Sequence, residues 1–400
     1  MHIIVISLLY PPDIGGSATR ARNVARGLQL QGNEVTVVAG FPHYPEGDVP
    51  KNLRNKALVK ENDDGITVIR TYVPPLASKG LVNRLVIFAC FMVSSLFGLI
   101  YIHRTYGVFA SYPHILVVFP AKIYGWLLSA PVVLNVDDLW PESLTDLGML
   151  REGQLKRFAE RIARFAYRIA DTIAPISPSY VEPIVVKYGV PKAKLEVIPG
   201  GVDLSLFRGQ SGPNQRPTFD VLYIGAFSKA YNFEQVLEAA NELHGIDAIR
   251  FQLRGQGEMV PAIKKQMEKN QVQNVSLVQN VVSRAEAARL MMNADALLLP
   301  LSGMENVEKG ISSKLYEYQA AGKPIVCCSS GTPADYVRMS RSGLVVQPGD
   351  SVGLASAVLR LYKDPALASA LGLSGREFVS SRYSVESVGE IVNNLFEVLH

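Results

Sequence analysis

Short apolar runs alternate with amphipathic segments along the chain. His2 to Leu9 is an apolar run, Ser17 to Gln31 has helical periodicity, and Glu34 to Ala39 is a second apolar run. Apolar runs of this length between helices are typical of buried parallel strands. The order strand, glycine loop, helix, strand therefore predicts a parallel sheet with helices on its faces.

The alternation continues to residue 199 and restarts near residue 220. In the first half, further strands are predicted at Ile66–Tyr72, Val108–Phe119, Val132–Val136, Ile173–Ile176 and Leu195–Pro199. In the second half, strands are predicted at Asp220–Ile224, Ile249–Arg254, Val275–Leu277, Ala296–Leu299, Ile325–Cys328 and Gly343–Val346. The polar, Pro/Gly-rich segment Arg208 to Pro217 is typical of a linker. We therefore predict two α/β domains, residues 1–205 and 206–383, that face each other across a crevice. A last helix, 384–400, is expected to pack back on the first domain.

The segment Leu85 to Ile102 carries no charge over its whole length. It just reaches the length of a membrane-spanning helix. Three interpretations stay open for it: a spanning helix, a buried core helix, or a helix partly exposed to the bilayer surface.

A basic amphipathic helix is predicted from Arg151 to Ala170. Its apolar positions are Leu155, Phe158, Ile162, Phe165 and Ile169, and its basic positions are Lys156, Arg157, Arg161, Arg164 and Arg168. A helix of this kind fits an anionic membrane surface. The alternative is a solvated basic face over an apolar stripe that packs on the core.

Composition describes a globular protein of 400 residues with 48% hydrophobic and 19% charged residues. The net charge is +4, and the excess of basic residues lies in the first half, which suits an anionic surface or acceptor. Three cysteines without framework spacing indicate a reducing compartment and argue against zinc. The N-terminus lacks a basic n-region and a cleavage-site pattern, so it is interpreted as a first strand.

The candidate chemistry centres on Glu308 to Pro324. A strand ending at Pro300 precedes it, and helical spacing begins at Ser313. Small residues at a helix N-terminus offer free backbone N–H groups that favour phosphate. Lys314 adds a cation, and Glu317 could accept hydrogen bonds from a ribose diol. The alternative is an ordinary Ser-capped surface helix.

Lys229 follows the first strand of the second half, so we expect it to lie near the N-terminus of the helix that begins at Ser313. A cation and a helix N-terminus at one point suit a pyrophosphate leaving group, on which negative charge grows during bond cleavage. The chain has no D-x-D triplet and its histidines are scattered. We therefore expect the protein's own cations and amides, with no metal, to stabilise that charge.

Two loops of the first half are further candidates. Gly15-Gly16 allows close approach of a phosphate, although a turn alone would explain it. Asp137-Asp138 follows a predicted strand, where active sites of parallel sheets gather, although a pair that caps the next helix is also plausible. No G-x-G-x-x-G fingerprint occurs, which argues against an oxidoreductase.

Taken together, these motifs resemble the retaining sugar-nucleotide glycosyltransferases of family four, which have the two-domain GT-B fold. The resemblance covers nearly the whole chain and rests on the Gly15-Gly16 loop, I-P-G-G-V-D at 198–203, R-G-Q-G-E at 254–258, A-D-A-L-L-L-P at 294–300 and S-K-L-Y-E-Y-Q-A-A-G-K-P at 313–324. With D-L-W-P-E at 138–142, it is most similar to the subgroup that builds bacterial surface polysaccharides, such as O-antigen and capsule.

The resemblance implies a role for each matching residue. Asp138, with Asp137, would lie near the transferred sugar or the acceptor hydroxyl, and Lys229 would contact the donor diphosphate. Donor binding would involve Gly15, Gly16, Gly225, Lys229, Gly255, Gly257, Val281, Ser312, Ser313, Lys314, Leu315 and Glu317. Residues 1–205 would bind the acceptor and carry membrane-facing helices, and residues 206–383 would bind the nucleotide sugar.

The sequence departs from the family pattern at two positions. Ala226 stands where an arginine is common, and Lys309 stands at the first position of the family's E-x7-E motif, whose second position is Glu317. Glu305 or Glu308 could substitute only if the loop is rearranged. The sugar contact usually made by the first glutamate is therefore in doubt.

The expected activity is a metal-independent, retaining hexosyl or N-acetylhexosaminyl transfer of an amino sugar or deoxy sugar. The donor would be a UDP-sugar and the acceptor a polyprenyl-diphosphate-linked saccharide, at the inner face of the cell membrane. No cofactor and no nucleic-acid partner are expected. The alternatives are a UDP-sugar 2-epimerase of the same fold and a non-catalytic, membrane-associated assembly partner.

Overall fold

The computed structural model describes residues 1–44, 46–77, 80–111, 114–146, 148–209 and 217–400. The strands are β1 (His2–Ser7), β2 (Glu34–Gly40), β3 (Leu58–Asp63), β4 (Ile66–Thr71), β5 (Gly107–Ser111), β6 (Val132–Val136), β7 (Thr172–Pro175), β8 (Phe219–Ile224), β9 (Ile249–Arg254), β10 (Val275–Val278), β11 (Ala296–Pro300), β12 (Ile325–Cys328) and β13 (Gly343–Val346).

The α-helices are α1 (Gly16–Leu30), α2 (Leu81–Ser94), α3 (Val118–Leu128), α4 (Glu142–Asp146), α5 (Gln154–Ile169), α6 (Val181–Tyr188), α7 (Phe233–Glu242), α8 (Val260–Lys269), α9 (Arg284–Asn293), α10 (Glu305–Lys309), α11 (Ser313–Ala320), α12 (Thr332–Met339), α13 (Ser351–Lys363), α14 (Pro365–Arg382) and α15 (Val385–Val398). A 3-10 segment, Ser95–Ile100, continues directly from α2.

The chain forms two compact units, each built on one sheet. Unit 1 comprises Met1–Gly201 and Val385–His400, and unit 2 comprises Val202–Ser384. The predicted fold class of two parallel-sheet α/β domains is therefore confirmed. The sequence-based boundaries, at 205/206 and 383/384, stay predictions. Residues 210–216 of the predicted linker lie outside the described residues.

Unit 1 has a seven-stranded sheet in the order β3-β4-β2-β1-β5-β6-β7. All neighbouring strands are parallel except β3 and β4, which form an antiparallel hairpin. Side chains of β1 alternate between two cores: Ile4 and Ile6 face one, and Ile3 and Val5 face the other. This burial on both faces explains why the strands are apolar throughout.

The C-terminal helix α15 belongs to unit 1, where it packs against α1. The two helices approach at a pair of glycines: a β-carbon on Gly389 would lie 2.2 Å from the carbonyl carbon of Gly27. Only residues without a side chain allow the two backbones to come this close. The C-terminal helix thus completes the core of unit 1.

Unit 2 has a six-stranded, all-parallel sheet in the order β10-β9-β8-β11-β12-β13. The six strands predicted for this half are confirmed. In each unit the strand order reverses beside the first strand, between β1 and β5 and between β8 and β11. Ligands of open α/β sheets bind at the carboxyl ends of strands next to such a reversal.

Several expectations for unit 1 are wrong in detail. β3 falls in a segment predicted as loop. The strand predicted from Val108 to Phe119 ends at Ser111, and a 3-10 turn and α3 follow; residues 112 and 113 lie outside the described residues. Leu195 makes only an isolated bridge with Ile173 instead of a strand from 195 to 199.

The apolar segment predicted from Leu85 to Ile102 is helical from Leu81 to Ile100. Among the described residues it alone is long and apolar enough to cross a membrane, a statement about length and composition only. Only 28% of its apolar window is buried. The interpretation as a buried core helix is therefore wrong, because most of this surface faces outward.

Helix α5 packs on the core through a face that the sequence did not indicate. Its buried residues are Ala159, Ala163, Ala166 and Tyr167. The large apolar residues Leu155, Phe158 and Phe165 are 56%, 58% and 54% exposed. Three of the five residues of the predicted apolar stripe thus face outward beside the basic residues, while Ile162 and Ile169 are half-buried and pack against the core.

Candidate functional site

In unit 2, the turns that follow β8 and β9 are joined through their backbones. The Gly225 N–H donates to the Arg254 carbonyl oxygen (2.9 Å), and the Phe227 N–H donates to the Gln256 carbonyl oxygen (2.8 Å). Gly255 has a φ of +141°, and a β-carbon there would lie 1.8 Å from the Gly225 carbonyl oxygen. Gly225 and Gly255, two of the glycines predicted to bind the donor, therefore form one continuous surface beside the strand reversal.

The side chain of Lys314 lies directly over Gly225. A β-carbon added to Gly225 would lie 2.4 Å from Lys314 Cε and 2.6 Å from its Nζ. The ammonium donates a hydrogen bond to the Tyr231 hydroxyl (3.1 Å) and lies over the rings of Tyr231 (5.1 Å) and Tyr223 (5.8 Å). Absence of a side chain at position 225 makes this approach possible.

Lys314 is also in the first turn of α11, so the ammonium and the helix N-terminus are adjacent. Ser312 is the N-cap residue, and its side chain makes no capping hydrogen bond. The Leu315 side chain is buried, and the Leu315 N–H donates to the Ser312 carbonyl oxygen (2.9 Å). The N–H through which Leu315 was predicted to bind the donor therefore already has a partner. A cation beside a helix N-terminus and a glycine turn favours a phosphate.

Lys229, predicted to contact the diphosphate, is exposed in the turn after Gly225. The atoms nearest to the open side of Gly225 belong to Lys314 and Tyr223 instead. The structure therefore brings Lys314 closest to the glycine surface. Tyr223 and Tyr231, which hold the ammonium, were missed by the sequence analysis, although both flank the Gly225 turn.

Glu317 lies one turn along α11 and is partly buried. Burial raises the pKa of its carboxyl, and the positive charges of Arg284 and Lys314 oppose that rise. Arg284 begins α9, just after the loop that contains Val281, which is 49% exposed. Arg284 was also missed, and its place after the carboxyl end of β10 was the available signal.

Both glutamates considered as substitutes at the E-x7-E position have other partners in this structure. Glu305 pairs with Lys309 (2.6 Å) within α10. Glu308 is buried and accepts hydrogen bonds from the N–H groups of Ser330 (3.0 Å) and Gly331 (2.6 Å), ahead of α12. Glu308 therefore stabilises the N-terminus of α12.

In unit 1, the buried guanidinium of Arg20 ties three segments together. It donates to Asn135 Oδ1 (3.0 Å) and to the carbonyl oxygens of Ile198 (2.8 Å) and Pro199. Its Nε lies 3.8 Å from Asp137 Oδ1, which also accepts from Asn135 Nδ2 (2.7 Å). Burial raises the pKa of Asp137, and Arg20 and Asn135 oppose that rise. Asp137 is thus held inside a network that fixes the loop.

The adjacent Asp138 faces a cavity of about 240 Å³. The residue is exposed on one side, yet protein surrounds its carboxyl closely enough that burial, and then the charge of Asp137, raise its pKa to about 6. Water on the exposed side limits that shift.

Gly15 and Gly16 are exposed at the start of α1. They belong to unit 1, whereas the other residues predicted to bind the donor belong to unit 2.

Within the described ranges, no group of three or more His, Cys, Asp or Glu side chains could hold a metal ion. The positive charges of Arg284 and Lys314 act on the Glu317 carboxyl. The part of the site that the structure describes can therefore bind an anion through protein groups.

Two family models match the chain and together cover most of it. Residues 15–201 match a glycosyl transferase 4-like domain, and residues 218–364 match glycosyl transferases group 1. A relative from Escherichia coli K12, the putative colanic acid biosynthesis glycosyl transferase WcaI, is 25% identical over 69% of this chain and 70% of its own.

Two solved structures resemble the whole chain. Sucrose-phosphate synthase from Thermosynechococcus elongatus has a TM-score of 0.76 at 18% identity and covers 100% of this chain and 98% of its own. Anabaena HepE in complex with UDP has a TM-score of 0.72 at 14% identity and covers 100% of both chains. The GT-B fold expected from the sequence is thereby confirmed. The chain belongs to the GT-B glycosyltransferases and is itself a glycosyltransferase.

The raised pKa of Asp138 predicts a dependence of stability on pH. The folded state binds its proton more tightly than the unfolded chain, so the ionised carboxylate lowers stability above pH 6, and the effect disappears below pH 4. Asp138→Asn should therefore raise the free energy of unfolding at pH 7.5 by about 1 kcal/mol, less than the roughly 3 kcal/mol of the full shift because of solvent.

Denaturant unfolding of both proteins at pH 7.5 and pH 4 measures this effect, with the exposed Glu196→Gln as the control. A gain that is equal at both pH values, or that Glu196→Gln reproduces, would contradict the assignment.

Proposed function

We propose that the protein is a retaining glycosyltransferase that moves an amino sugar or deoxy sugar from a UDP-sugar to a lipid-linked saccharide. The observation that carries the proposal is the ammonium of Lys314 over Gly225, next to the N-terminus of α11. The UDP part is supported by the likeness in fold to HepE, which was crystallised with UDP.

In the proposed reaction, unit 2 stabilises the leaving group. The bond between the anomeric carbon and the diphosphate oxygen breaks, and negative charge grows on the diphosphate. Lys314, Lys229 and the first N–H groups of α11 would neutralise that charge without a metal or cofactor. Glu317 would accept hydrogen bonds from the ribose.

The acceptor hydroxyl would attack the anomeric carbon from the same face from which the diphosphate leaves. The anomeric configuration is thereby retained. Its oxygen forms the new bond to the anomeric carbon, and its proton passes to the departing diphosphate. Asp138, in unit 1, would lie near the acceptor hydroxyl or the transferred sugar, and Asp137 would fix the loop through Arg20.

The acceptor and the pathway are proposed from relatives. The E. coli relative is named a putative colanic acid biosynthesis glycosyl transferase. With the D-L-W-P-E segment, this supports a role in surface polysaccharide assembly, including O-antigen or capsule, on a polyprenyl-diphosphate-linked acceptor.

We also propose that the protein binds the cytoplasmic face of the membrane through the outer faces of α2, α3 and α5. This apolar surface comprises Val82, Leu85, Val86, Val93, Phe97, Ile100, Ile123, Trp126, Leu127, Leu155, Phe158 and Phe165, all at least 40% exposed. Trp126 is 79% exposed, and Phe165 stacks with Phe119 of α3, which joins α3 to α5.

Exposed arginines of α5 lie beside this apolar surface: Arg157, Arg161, Arg164 and Arg168. Apolar side chains next to basic ones match the interior and the anionic headgroups of a bilayer. Charge complementarity therefore favours an anionic lipid surface as the occupant.

The proposed activity is tested with a panel of UDP-sugars and synthetic polyprenyl-diphosphate-linked monosaccharides, with products identified by mass spectrometry. We expect one donor to give a glycosylated lipid, and Lys314→Ala to lower kcat/KM about 100-fold or more, because the charge on the leaving group loses its cation. Lys229→Ala and Glu317→Ala should also impair turnover without unfolding the protein.

The exposed Lys265→Ala of α8 is the matched control and should keep the wild-type rate. UDP release without a glycosylated product would instead favour the 2-epimerase. Failure to bind any UDP-sugar would favour the non-catalytic partner. Wild-type turnover by Lys314→Ala would contradict the assigned role of this lysine.

Membrane binding is tested by flotation with vesicles of phosphatidylglycerol and phosphatidylethanolamine, against phosphatidylcholine vesicles. Replacing Trp126, Phe158 and Phe165 together by Ser should lower the bound fraction about tenfold or more, since each buried apolar side chain contributes roughly 1.5–3 kcal/mol. Replacing the four exposed arginines of α5 by Gln should weaken binding to the anionic vesicles only.

The control is Val352→Ser with Leu373→Ser, which removes exposed apolar side chains of unit 2. Unchanged flotation of the triple variant would contradict the proposed surface. Wild-type protein that resists extraction by salt and alkaline carbonate would indicate that Leu81–Ile100 spans the bilayer.

A further inference from the structure

The cavity beside Asp138 contains two buried histidines that no part of the proposed reaction uses. Its apolar lining comes from Leu8, Leu9, Leu81, Leu85, Phe88, Leu116, Trp140 and Leu144. Its polar lining includes His43, His114, Arg84 and Asp138. His43 is 3% exposed and His114 is 1% exposed.

Among the residues that the structure describes, three of the four ring nitrogens of these histidines find no hydrogen-bond partner: His43 Nε2, His114 Nδ1 and His114 Nε2. An unpaired buried donor or acceptor lowers the stability of the protein, which is a free-energy cost. A ligand in the cavity that makes these hydrogen bonds would recover that cost. Its polar groups must match what the rings offer.

The orientation of His43 is fixed by its surroundings. Asp13 Oδ1 accepts hydrogen bonds from the backbone N–H groups of His43 and Tyr44 (2.8 Å each), which holds this segment in place. His43 Nδ1 lies 2.8 Å from the Phe41 carbonyl oxygen. Because a carbonyl oxygen only accepts, Nδ1 carries a proton, and Nε2 is an acceptor in the tautomer that holds this one proton. A hydroxyl group of a ligand is a matching donor.

His114 offers one donor and one acceptor to the same cavity. Its ring stacks on Phe88 at 4.0 Å, and burial lowers its pKa to about 3, so the imidazole is neutral at physiological pH. The neutral imidazole of His114, Nε2 of His43 and the carboxylate of Asp138 all offer hydrogen-bond acceptors. They match a ligand rich in hydroxyl groups, and about 240 Å³ is enough for part of a larger ligand, such as one sugar ring.

We propose that this cavity is the subsite for the terminal sugar of the acceptor, and that His43 Nε2 accepts a hydrogen bond from one hydroxyl of that sugar. His114 contacts a second hydroxyl. Leu81, Arg84 and Leu85 of α2 form one side of the cavity, and the outer face of the same helix is apolar. The inference rests on the proposed glycosyl transfer and adds the residues that position the acceptor.

Two substitutions at position 43 separate ligand binding from a structural role. Asn places an amide near Nδ1 and keeps the hydrogen bond to Phe41, but it removes the Nε2 acceptor. Gln places an amide oxygen near Nε2 and gives up the Phe41 bond. Positioning of the acceptor therefore predicts that His43→Gln keeps more activity than His43→Asn, and a purely structural role predicts the reverse order.

The experiment measures initial rates with a farnesyl-diphosphate-linked monosaccharide that the wild type accepts, over a range of concentrations. We expect His43→Asn to raise KM for this acceptor about tenfold or more, a loss typical of an unpaired polar group. KM for the UDP-sugar and UDP release without acceptor should stay within about twofold. The exposed His103→Asn is the control.

Acceptors that lack one hydroxyl each identify the contact: one of them should react poorly with the wild type and no worse with His43→Asn. Unchanged acceptor KM in His43→Asn, or activity that Asn preserves and Gln does not, would overturn the inference while the wild type still transfers sugar. A wild type that glycosylates no acceptor would overturn the proposed function, and the inference with it.

Discussion

The ammonium of Lys314 lies between two tyrosine rings and against the bare backbone of Gly225, and the account of function depends on this contact. In the described part of the chain, no carboxylate forms an ion pair with Lys314; Glu317 acts on it only through space. A cation that is partly buried without a paired anion gains most from an anionic ligand. The adjoining N-terminus of α11 favours the same charge.

The geometry around this lysine follows from the backbone. Glycine at position 225 leaves room for the lysine, and glycine at 255 lets the next turn touch the first. The parallel sheet brings both turns to the carboxyl end of adjacent strands, beside the strand reversal. Arg20 has the corresponding structural role in unit 1, where it anchors the Asp137 loop and the segment at 198–199. In each unit, one buried or half-buried cation, Lys314 or Arg20, contacts the loops at the carboxyl ends of the strands.

The elements of unit 2 could be predicted closely from sequence, because buried parallel strands are apolar runs separated by helices. The loops could not be predicted as well. Lys229 was the obvious cation by its place after β8, but the side chain over Gly225 comes from α11, distant in sequence. His43 and His114 were passed over because single histidines carry no spacing signal, and only the fold brings them to one cavity.

Helix α5 shows why an apolar stripe does not identify a buried face. The five large apolar residues at helical spacing left open whether they pack on the core or meet a membrane. Ala159, Ala163 and Ala166 form the buried face, and only Ile162 and Ile169 of the five pack against the core. Small side chains allow close packing at this face, while Phe158 and Phe165 remain outside. The spacing of residues along a helix shows which side chains share a face. Packing with neighbouring elements decides which face is buried.

The central claim concerns where a phosphate binds, and a crystal structure of the protein soaked with UDP tests it most directly. The account predicts diphosphate oxygens within about 3 Å of Lys314 Nζ and of the first N–H groups of α11. Well-ordered UDP whose phosphates lie away from Lys314 and Ser313 would contradict it.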